Sequence, residues 1–492
     1  MNRQIAKLTI VFMAIFLILF TQLNLTQLIR ANEYKSDPSN TRSISMTFTE
    51  PRGLIRTADG EIIAETISIQ GDLKRLRQYP FDNLYAHVTG FISFEYGASG
   101  LERLYNSHLS GTEIEVRVQN ASDLFLNRNR TANLELTLRH DVQLVARAAL
   151  GNRSGAVVAI NPQDGAILAL WSNPSYDPNS FSSHDLNQVD NFRDNLLSDS
   201  QNPIRSKAYQ ESYPPGPIFS VITASAGLSD ITIAKDRPIY PQVGYYVVPQ
   251  TNSPITNVDG KICGGTIYEI LEQSCNTGFA QMAISLGPTI LVEQTEAFGF
   301  NSELTIDLPG ITESFIHQPE FYDPNLSLLA QSGIGKGGVS ATPLQMASVA
   351  STIANGGILF SPRIINKITT SNGEVLKNYQ SQILGRPITK SVSEELKAIL
   401  SKSVERGAEQ SVQAEGVKVG AKVGTVRVEN STTTHNWVIA FAPVANPEVA
   451  VAVFVEEGGS EGFYTQGTDA GPIARAVIEA SLRLPTSTVN EP

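Results

Sequence analysis

The chain has little positive charge and few histidines, and each shortage excludes a class of function. Among its 492 residues, 37 Lys and Arg stand against 48 Asp and Glu, which gives a net charge of −11. Nucleic-acid-binding domains normally carry a basic face, so we expect no nucleic-acid partner. The six histidines are scattered without the spacing of metal ligands, which predicts no metal site. We likewise expect no cofactor.

Two further shortages concern reactive side chains. No lysine in the chain follows a serine at a spacing of three residues, so a serine and a lysine do not share one helix face in that arrangement. The only cysteines are Cys263 and Cys275. In a chain that we expect to lie outside the membrane, such a pair is more typical of a disulfide than of a metal site. Two unpaired buried thiols are the alternative.

The N-terminus carries the strongest apolar run of the chain. Arg3 and Lys7 precede a strongly apolar segment at 8–20, which continues more weakly to residue 29, and no small-residue cleavage site follows. As a helix, residues 8–29 are long enough to cross a bilayer of about 30 Å. The positive residues before it predict a cytoplasmic tail at 1–7 and a single-pass signal anchor at 8–29. The large remainder is then extracytoplasmic, at the cell membrane.

Beyond the anchor, the pattern predicts two folded units. Residues 30–133 indicate a linker and a small α+β pedestal domain, with Asp59-Gly60 as a hairpin turn. Residues 134–483 form a denser domain in which apolar strands flank turns at 161–165 and at Asn446-Pro447. Residues 484–492 are predicted to be a flexible tail. Strands, then many helices, then strands and a closing helix are typical of an antiparallel sheet covered by helices, an α+β fold.

Five helices of the larger domain can be placed from periodicity and end signals. They are predicted at 219–228, 266–274, 343–355, 391–406 and 472–482. For the fourth, Ser391 and Glu394 have the spacing of a capping box, and Gly407 marks the end.

Several short motifs occur in a fixed order along the chain. They are RG at 52–53, DG at 59–60, GLE at 100–102, PSYDPN at 174–179, YPPG at 213–216, SCN at 274–276, TPLQMA at 342–347 and NWVIAFAP at 436–443. In this order and spacing they resemble the class B penicillin-binding proteins, and most closely the actinobacterial penicillin-binding protein A group. Cys263 and Cys275 of this chain also match cysteines of that group. The resemblance implies an anchor, a pedestal and a transpeptidase-like domain that cross-links peptidoglycan by acyl transfer.

That family carries three catalytic motifs, S-x-x-K, S-x-N and K-T-G. The first serine attacks the substrate amide, and the lysine one turn later accepts its proton. S-x-N relays protons and holds the substrate, while K-T-G supplies a cation and a hydroxyl that binds the terminal carboxylate. The backbone N–H groups of the nucleophilic serine and of the residue after K-T-G form the oxyanion hole.

The first motif is absent where the family has it. After YPPG, the serine position holds Pro217 and the lysine position holds Ser220. Proline removes the nucleophile, and because it has no backbone N–H it also removes one oxyanion donor. Loss of a single such donor costs about 10²–10³ in rate in other enzymes.

The second motif is intact and the third is altered. S-x-N reads Ser274, Cys275 and Asn276, whereas K-T-G reads Lys422, Val423 and Gly424, followed by Thr425. The valine removes the hydroxyl that binds the carboxylate. We therefore interpret Ser274, Asn276 and residues 422–425 as a vestigial pocket in which no complete catalytic set remains.

Three functions are compatible with these motifs. The first is a catalytically inactive transpeptidase homologue that scaffolds or activates a polytopic glycosyltransferase of the shape, elongation, division and sporulation class in peptidoglycan synthesis. The second is an active, penicillin-binding D,D-transpeptidase with an atypical nucleophile. The third is a sensor that binds peptidoglycan fragments or precursors without reaction through Asn276 and Lys422.

Overall fold

The computed structural model describes residues 2–26, 48–70, 73–113, 116, 131–230, 233, 236–249, 251–252, 254–407, 409–427, 433–460 and 469–483. Residues 27–29 of the predicted anchor, residues 30–47 of the predicted linker and the predicted tail at 484–492 lie outside the described residues.

The strands within the described residues are β1 Ile55–Arg56, β2 Ile62–Ser68, β3 Arg75–Gln78, β4 Ile92–Ser93, β5 Gly97–Ala98, β6 Ala132–Leu136, β7 Gly155–Ile160, β8 Ile167–Asn173, β9 Tyr240–Val243, β10 Tyr245–Val247, β11 Pro254–Thr256, β12 Cys263–Gly265, β13 Leu359–Phe360, β14 Ile365–Thr370, β15 Val375–Asn378, β16 Ile383–Gly385, β17 Gly420–Arg427, β18 Thr433–Ala442 and β19 Val449–Ser460.

The helices within them are α1 Asn2–Asn24, α2 Ala86–Thr89, α3 Gly100–Leu104, α4 Asn106–Leu109, α5 His140–Leu150, α6 Asn179–Ser182, α7 Leu186–Ser198, α8 Ser220–Ser229, α9 Ile267–Glu272, α10 Asn276–Ala297, α11 Pro319–Tyr322, α12 Leu326–Ser332, α13 Pro343–Ala354, α14 Lys390–Arg406 and α15 Ala470–Ser481. Single 3₁₀ turns occur at Asp82–Tyr85, Gly216–Phe219, Val258–Gly260 and Gln410–Val412.

Helix α1 stands apart from the folded body. Its segment Lys7–Asn24 has a mean hydropathy of 1.8 and is not buried against the rest of the chain. It is the one helix of the described residues that is long and apolar enough to cross a membrane. This agrees with the predicted anchor, while single-pass topology stays a prediction.

A six-stranded mixed sheet, in the order β15-β14-β6-β1-β2-β3, joins the pedestal to the larger domain. β1 runs parallel to β6, and β14 pairs antiparallel with β6 although about 230 residues separate them in the chain. The predicted turn at Asp59-Gly60 connects β1 to β2: Gly60 has φ +94° and its N–H donates to the Thr57 carbonyl.

The RG and GLE motifs meet in the pedestal interior. Glu102 accepts a hydrogen bond from Arg52 Nε at one carboxylate oxygen and from Arg77 Nε at the other, both at 2.6 Å. All three side chains are almost completely buried. A buried carboxylate needs such partners because burial without them is costly. The two motifs therefore stabilise the pedestal from within rather than forming its surface.

A five-stranded antiparallel sheet, in the order β17-β18-β19-β7-β8, forms the centre of the larger domain. Every residue of β7 is buried, which shows that both faces of the sheet are covered. The two predicted hairpins are confirmed as β7–β8 and β18–β19. The predicted α+β class, with an antiparallel sheet covered by helices, is also confirmed.

The five predicted helices are present as α8, α9, α13, α14 and α15, with ends that differ by a few residues. The capping box predicted for α14 is wrong. The helix begins at Lys390, and Thr389 caps it by accepting a hydrogen bond from Val392 N. Glu394 instead pairs with Lys397 one turn along. Thr389 and Ser391 both have capping chemistry, and the earlier of the two is the cap.

Candidate active site

The YPPG stretch leads into the candidate site through a tight turn. Gly216 has φ +57°, and a Cβ there would lie 2.0 Å from Val426 Cγ2 of β17, so only glycine fits. Its N–H donates to the Gly335 carbonyl at 2.9 Å. The turn is thus fixed between the edge strand β17 and the glycine-rich loop at 333–338.

Buried side chains of β18 and β19 contact the residues that precede this turn. Trp437 Nε1 donates to the Pro214 carbonyl at 3.0 Å, and the Tyr213 ring stacks on Phe454 with centroids 4.1 Å apart. Lys207 Nζ lies 2.8 Å from a Glu456 carboxylate oxygen beneath this ring. Burial raises the pKa of Tyr213 well above its usual range. These contacts keep the scaffold of an active-site helix although its reactive residues differ.

Pro217 occupies the position that the motif order predicts for the nucleophile. It is buried in the 3₁₀ turn Gly216–Phe219 and lines a cleft, with its Cδ packed towards Gly424 of β17. Proline fits here because the first turn of a helix leaves its N–H groups without intrahelical partners. The same fit leaves neither a hydroxyl nor an N–H at this point of the cleft.

Ser220 is the first residue of α8 and does not replace the missing nucleophile. Its side chain is 2% exposed and is absent from the cleft lining. Its hydroxyl donates to the Pro217 carbonyl at 2.7 Å. The hydroxyl is therefore used within the turn and lacks both access to the cleft and a base.

The S-x-N element contributes Ser274 to the wall of the same cleft. Ser274 lines the cleft in the left-handed conformation, with φ +58°, and Asn276 begins α10. Asn276 Nδ2 donates to the Thr256 carbonyl at 3.1 Å, so one donor of this amide links α10 to β11. Cys263 and Cys275 are joined by a disulfide, which ties β12 to this turn.

The third motif lies on β17, which pairs with β18 on one side only and presents its other edge to the cleft. Val423, Gly424 and Thr425 line the cleft. Thr425 does carry a hydroxyl, but it donates to Asn436 Oδ1 at 3.1 Å. The structure thus places Pro217, Ser274 and 423–425 around one cleft, with Lys422 and Asn276 directly behind it.

Lys422 is completely buried, and its ammonium group makes two contacts. Nζ donates to Ser274 Oγ at 2.7 Å and to Glu409 Oε1 at 2.6 Å, and the Glu409 side chain is likewise fully buried. The motif pattern gave no indication of Glu409, because it follows the end of α14 in a stretch without a motif. Only the tertiary fold brings it to Lys422.

The structure adds further cleft residues that the motifs did not predict. Asn257, Val258, Lys261 and Gln273 line the cleft together with Cys263. The Asn257 side chain donates to the carbonyls of Val243 and Lys261 and accepts from Thr277 N, so it links β9, the stretch before β12 and the start of α10. An asparagine at the start of a tight turn is the only signal that would have pointed to it.

Comparison with known proteins agrees with this geometry. Residues 155–479 match the penicillin-binding protein transpeptidase domain, and residues 52–134 match the penicillin-binding protein A dimerisation domain. The chain belongs to the penicillin-binding protein transpeptidase family. The resemblance to class B penicillin-binding proteins is therefore confirmed.

Several relatives of this family are similar over the whole chain. The peptidoglycan D,D-transpeptidase PbpA of Mycolicibacterium smegmatis is 33% identical, over 98% of this chain and 99% of its own. Penicillin-binding protein A from M. tuberculosis, solved as a ceftriaxone acyl-enzyme complex, is 32% identical with a TM-score of 0.83, covering 89% of this chain and 100% of that one. The D,D-transpeptidase domain of a peptidoglycan glycosyltransferase from Eggerthella lenta is 28% identical with a TM-score of 0.76, covering 88% and 99%.

Proposed function

We propose that this penicillin-binding protein is a membrane-anchored, non-catalytic member of its family that acts in peptidoglycan synthesis through its surfaces. The observation that carries the proposal is Pro217, which stands at the head of α8 without a hydroxyl or an N–H. Ser220 stands where the base is expected, and Val423 stands where the carboxylate-binding hydroxyl is expected. Acyl transfer requires these groups together.

The rival function, a D,D-transpeptidase with an atypical nucleophile, has one observation in its favour. Ser274 lines the cleft and its Oγ lies 2.7 Å from Lys422 Nζ, the geometry of a nucleophile beside a base. Against it stands Glu409, which engages the same ammonium at 2.6 Å. An ammonium group held in a buried ion pair is a hydrogen-bond donor and not a proton acceptor.

Covalent labelling separates these two functions. The purified ectodomain is incubated with a fluorescent penicillin and examined by gel and by intact mass, with an active family member as positive control. We expect no adduct. An adduct that disappears in Ser274→Ala would establish the atypical nucleophile and refute the non-catalytic role.

The partner that we propose is a polytopic glycosyltransferase of the shape, elongation, division and sporulation class. A role in activating such a polymerase needs the pedestal surface and no nucleophile. Leu104 of α3 is half exposed on the pedestal, next to the buried residues that hold it together. It offers a surface position that can be changed without disturbing the interior.

The partner is tested by capture from detergent-solubilised membranes. Leu104→Asp should reduce co-purification of the polymerase at least fivefold, because a charge is placed on an apolar contact. Leu197→Asp is the matched control, since Leu197 is equally exposed but lies on α7 of the other domain. Substitutions in the cleft should leave capture unchanged. Capture that depends on Asn276 or Lys422 and ignores Leu104 would favour the sensor of peptidoglycan fragments instead.

A further inference from the structure

A cation behind the cleft wall is paired with a carboxylate inside the protein. Lys422 Nζ is enclosed between Ser274 Oγ, on the cleft side, and Glu409 Oε1, on the interior side. Neither Lys422 nor Glu409 belongs to the cleft lining, although the next three residues of β17 do. The ammonium therefore lies one layer behind the cleft wall.

The contact with Lys422 is the side-chain hydrogen bond that Glu409 makes within the described residues. Glu409 follows Gly407, which ends α14, and its side chain is completely buried. Its second oxygen, Oε2, has no hydrogen-bond partner among the described residues. A buried carboxylate with one oxygen unsatisfied is costly, so the pairing with Lys422 must provide most of what holds it there.

The pair changes the field that a ligand in the cleft would experience. A lone ammonium behind Ser274 would attract an anionic ligand, and low-dielectric surroundings would strengthen that attraction. With a carboxylate 2.6 Å away, the net charge of the unit is zero, and its potential falls off much faster with distance.

We propose that Glu409 is a specificity-determining residue that neutralises Lys422 and so makes the cleft unreceptive to ligands with a carboxylate. This inference rests on the proposed non-catalytic role, because an acylating enzyme would need this cation. Glu409 acts through Lys422 and touches no ligand itself.

The first test measures non-covalent binding, so its outcome is distinct from that of covalent labelling. The probe is a fluorescent penicillin, which carries a carboxylate, titrated by anisotropy at low and high NaCl. Glu409→Gln should bind it at least tenfold more tightly than the unmodified protein, and 0.3 M salt should weaken this gain. The isosteric amide removes the negative charge and leaves Lys422 as an uncompensated cation.

Two variants control the measurement. Glu405→Gln removes the same charge from the same helix end, but Glu405 pairs with Lys418 at the surface, so its affinity should stay within twofold of the unmodified protein. Glu409→Gln combined with Lys422→Met should lose the gain. An unchanged affinity in folded Glu409→Gln, or an equal gain in Glu405→Gln, overturns the proposal.

Thermal stability provides a second test that holds even if Glu409→Gln folds poorly. Removing one member of a buried ion pair leaves the other uncompensated, so Glu409→Gln should lower the Tm by several degrees. Glu409→Leu with Lys422→Met replaces both charges by apolar groups and should recover most of that loss. If the double variant is as unstable as the single one, Glu409 has no specific coupling to Lys422 and the proposal fails.

Discussion

At the scale of single residues, Pro217, Ser220 and Val423 each fit the surroundings in which they stand. Proline is favoured in the first turn of a helix, and the Ser220 hydroxyl donates a hydrogen bond to the Pro217 carbonyl. Valine has nearly the shape of threonine and favours a strand, so β17 keeps its packing at Val423, which is 3% exposed. Under the proposed function, each of these residues takes the place of a reactive group, while β17 keeps its pairing with β18 and Pro217 keeps its place in the 3₁₀ turn.

Because the scaffold is kept, reactivity should be recoverable. Pro217→Ser alone should give no penicillin adduct, since the new hydroxyl lacks a base. Pro217→Ser with Ser220→Lys restores the nucleophile, the N–H and a lysine on the same helix face, and should give a measurable adduct by intact mass. Val423→Thr should increase its rate of formation further, because residues that act as one catalytic unit are strongly non-additive.

The control for this series is Pro217→Ala with Ser220→Lys, which restores the N–H and the lysine without the nucleophile and should stay unlabelled. An adduct in that control would mean that labelling occurs elsewhere. A triple variant that is folded and remains unlabelled would contradict the prediction.

A second prediction at this scale concerns His87 in the pedestal. Its ring is buried against Tyr176, and Nε2 lies 2.9 Å from the Pro203 carbonyl. Burial lowers the pKa of His87 to about 4, although the carbonyl opposes this shift. The folded state therefore holds His87 neutral between pH 6.5 and 4, where the unfolded chain takes up a proton. This difference in proton binding has no effect on the free energy of unfolding above pH 6.5 and lowers it as the pH falls towards 4.

From pH 7.5 to 5.0, His87 should account for a loss of about 2 kcal/mol in the free energy of unfolding. Urea unfolding of the ectodomain at the two pH values measures the total loss. In His87→Gln, whose amide can still donate to Pro203, the loss should be smaller by that amount. Other titrating groups, such as His435, remain in both proteins and cancel. Equal pH dependence in the two proteins would contradict the assignment.

At the scale of elements, regular patterns were predictable from the sequence and tertiary pairings were not. The hairpins β7–β8 and β18–β19 and the helix α13 follow from apolar runs between turn signals, and the structure contains them. The cap of α14 was misplaced because Thr389 and Ser391 both have capping chemistry, and local sequence does not decide between them. The pairing of Glu409 with Lys422 is not predictable from the sequence for another reason. It is a tertiary contact, and neither segment carries a local pattern that indicates it.

The disulfide is the element-scale feature with the clearest energetic consequence. It links β12 to the turn before α10 across a sequence separation of 12 residues. Closing a loop of this length in the unfolded chain should contribute about 3 kcal/mol in the chain-entropy model. Replacing both cysteines with serine should lower the free energy of unfolding by about that amount. Reductant should lower the stability of the unmodified protein equally and leave the double variant unaffected, whereas two free thiols in the native protein would contradict the bond.

At the scale of the whole molecule, the cleft and the pedestal interior are formed by different residues. The pedestal interior is held by Arg52, Arg77 and Glu102, far along the chain from every altered cleft residue. Under the proposed function, the altered cleft residues leave these pedestal contacts in place, which is the condition for a role through partner binding. The remaining requirement is that the molecule be held at the membrane where such a partner resides.

The final prediction is that α1 provides this attachment. Its apolar segment Lys7–Asn24 is about 27 Å long as a helix, close to the thickness of a bilayer core of about 30 Å. The full chain should remain in the membrane pellet after an alkaline carbonate wash, and deletion of residues 2–29 should release a folded ectodomain with unchanged Tm. Phe16→Lys places a charge at the centre of the segment, which costs about 3 kcal/mol, and should shift protein to the soluble fraction. Leu197→Lys, which adds the same charge to an exposed site on α7, should not. A deletion variant that still sediments with membranes would show that attachment depends on another part of the chain.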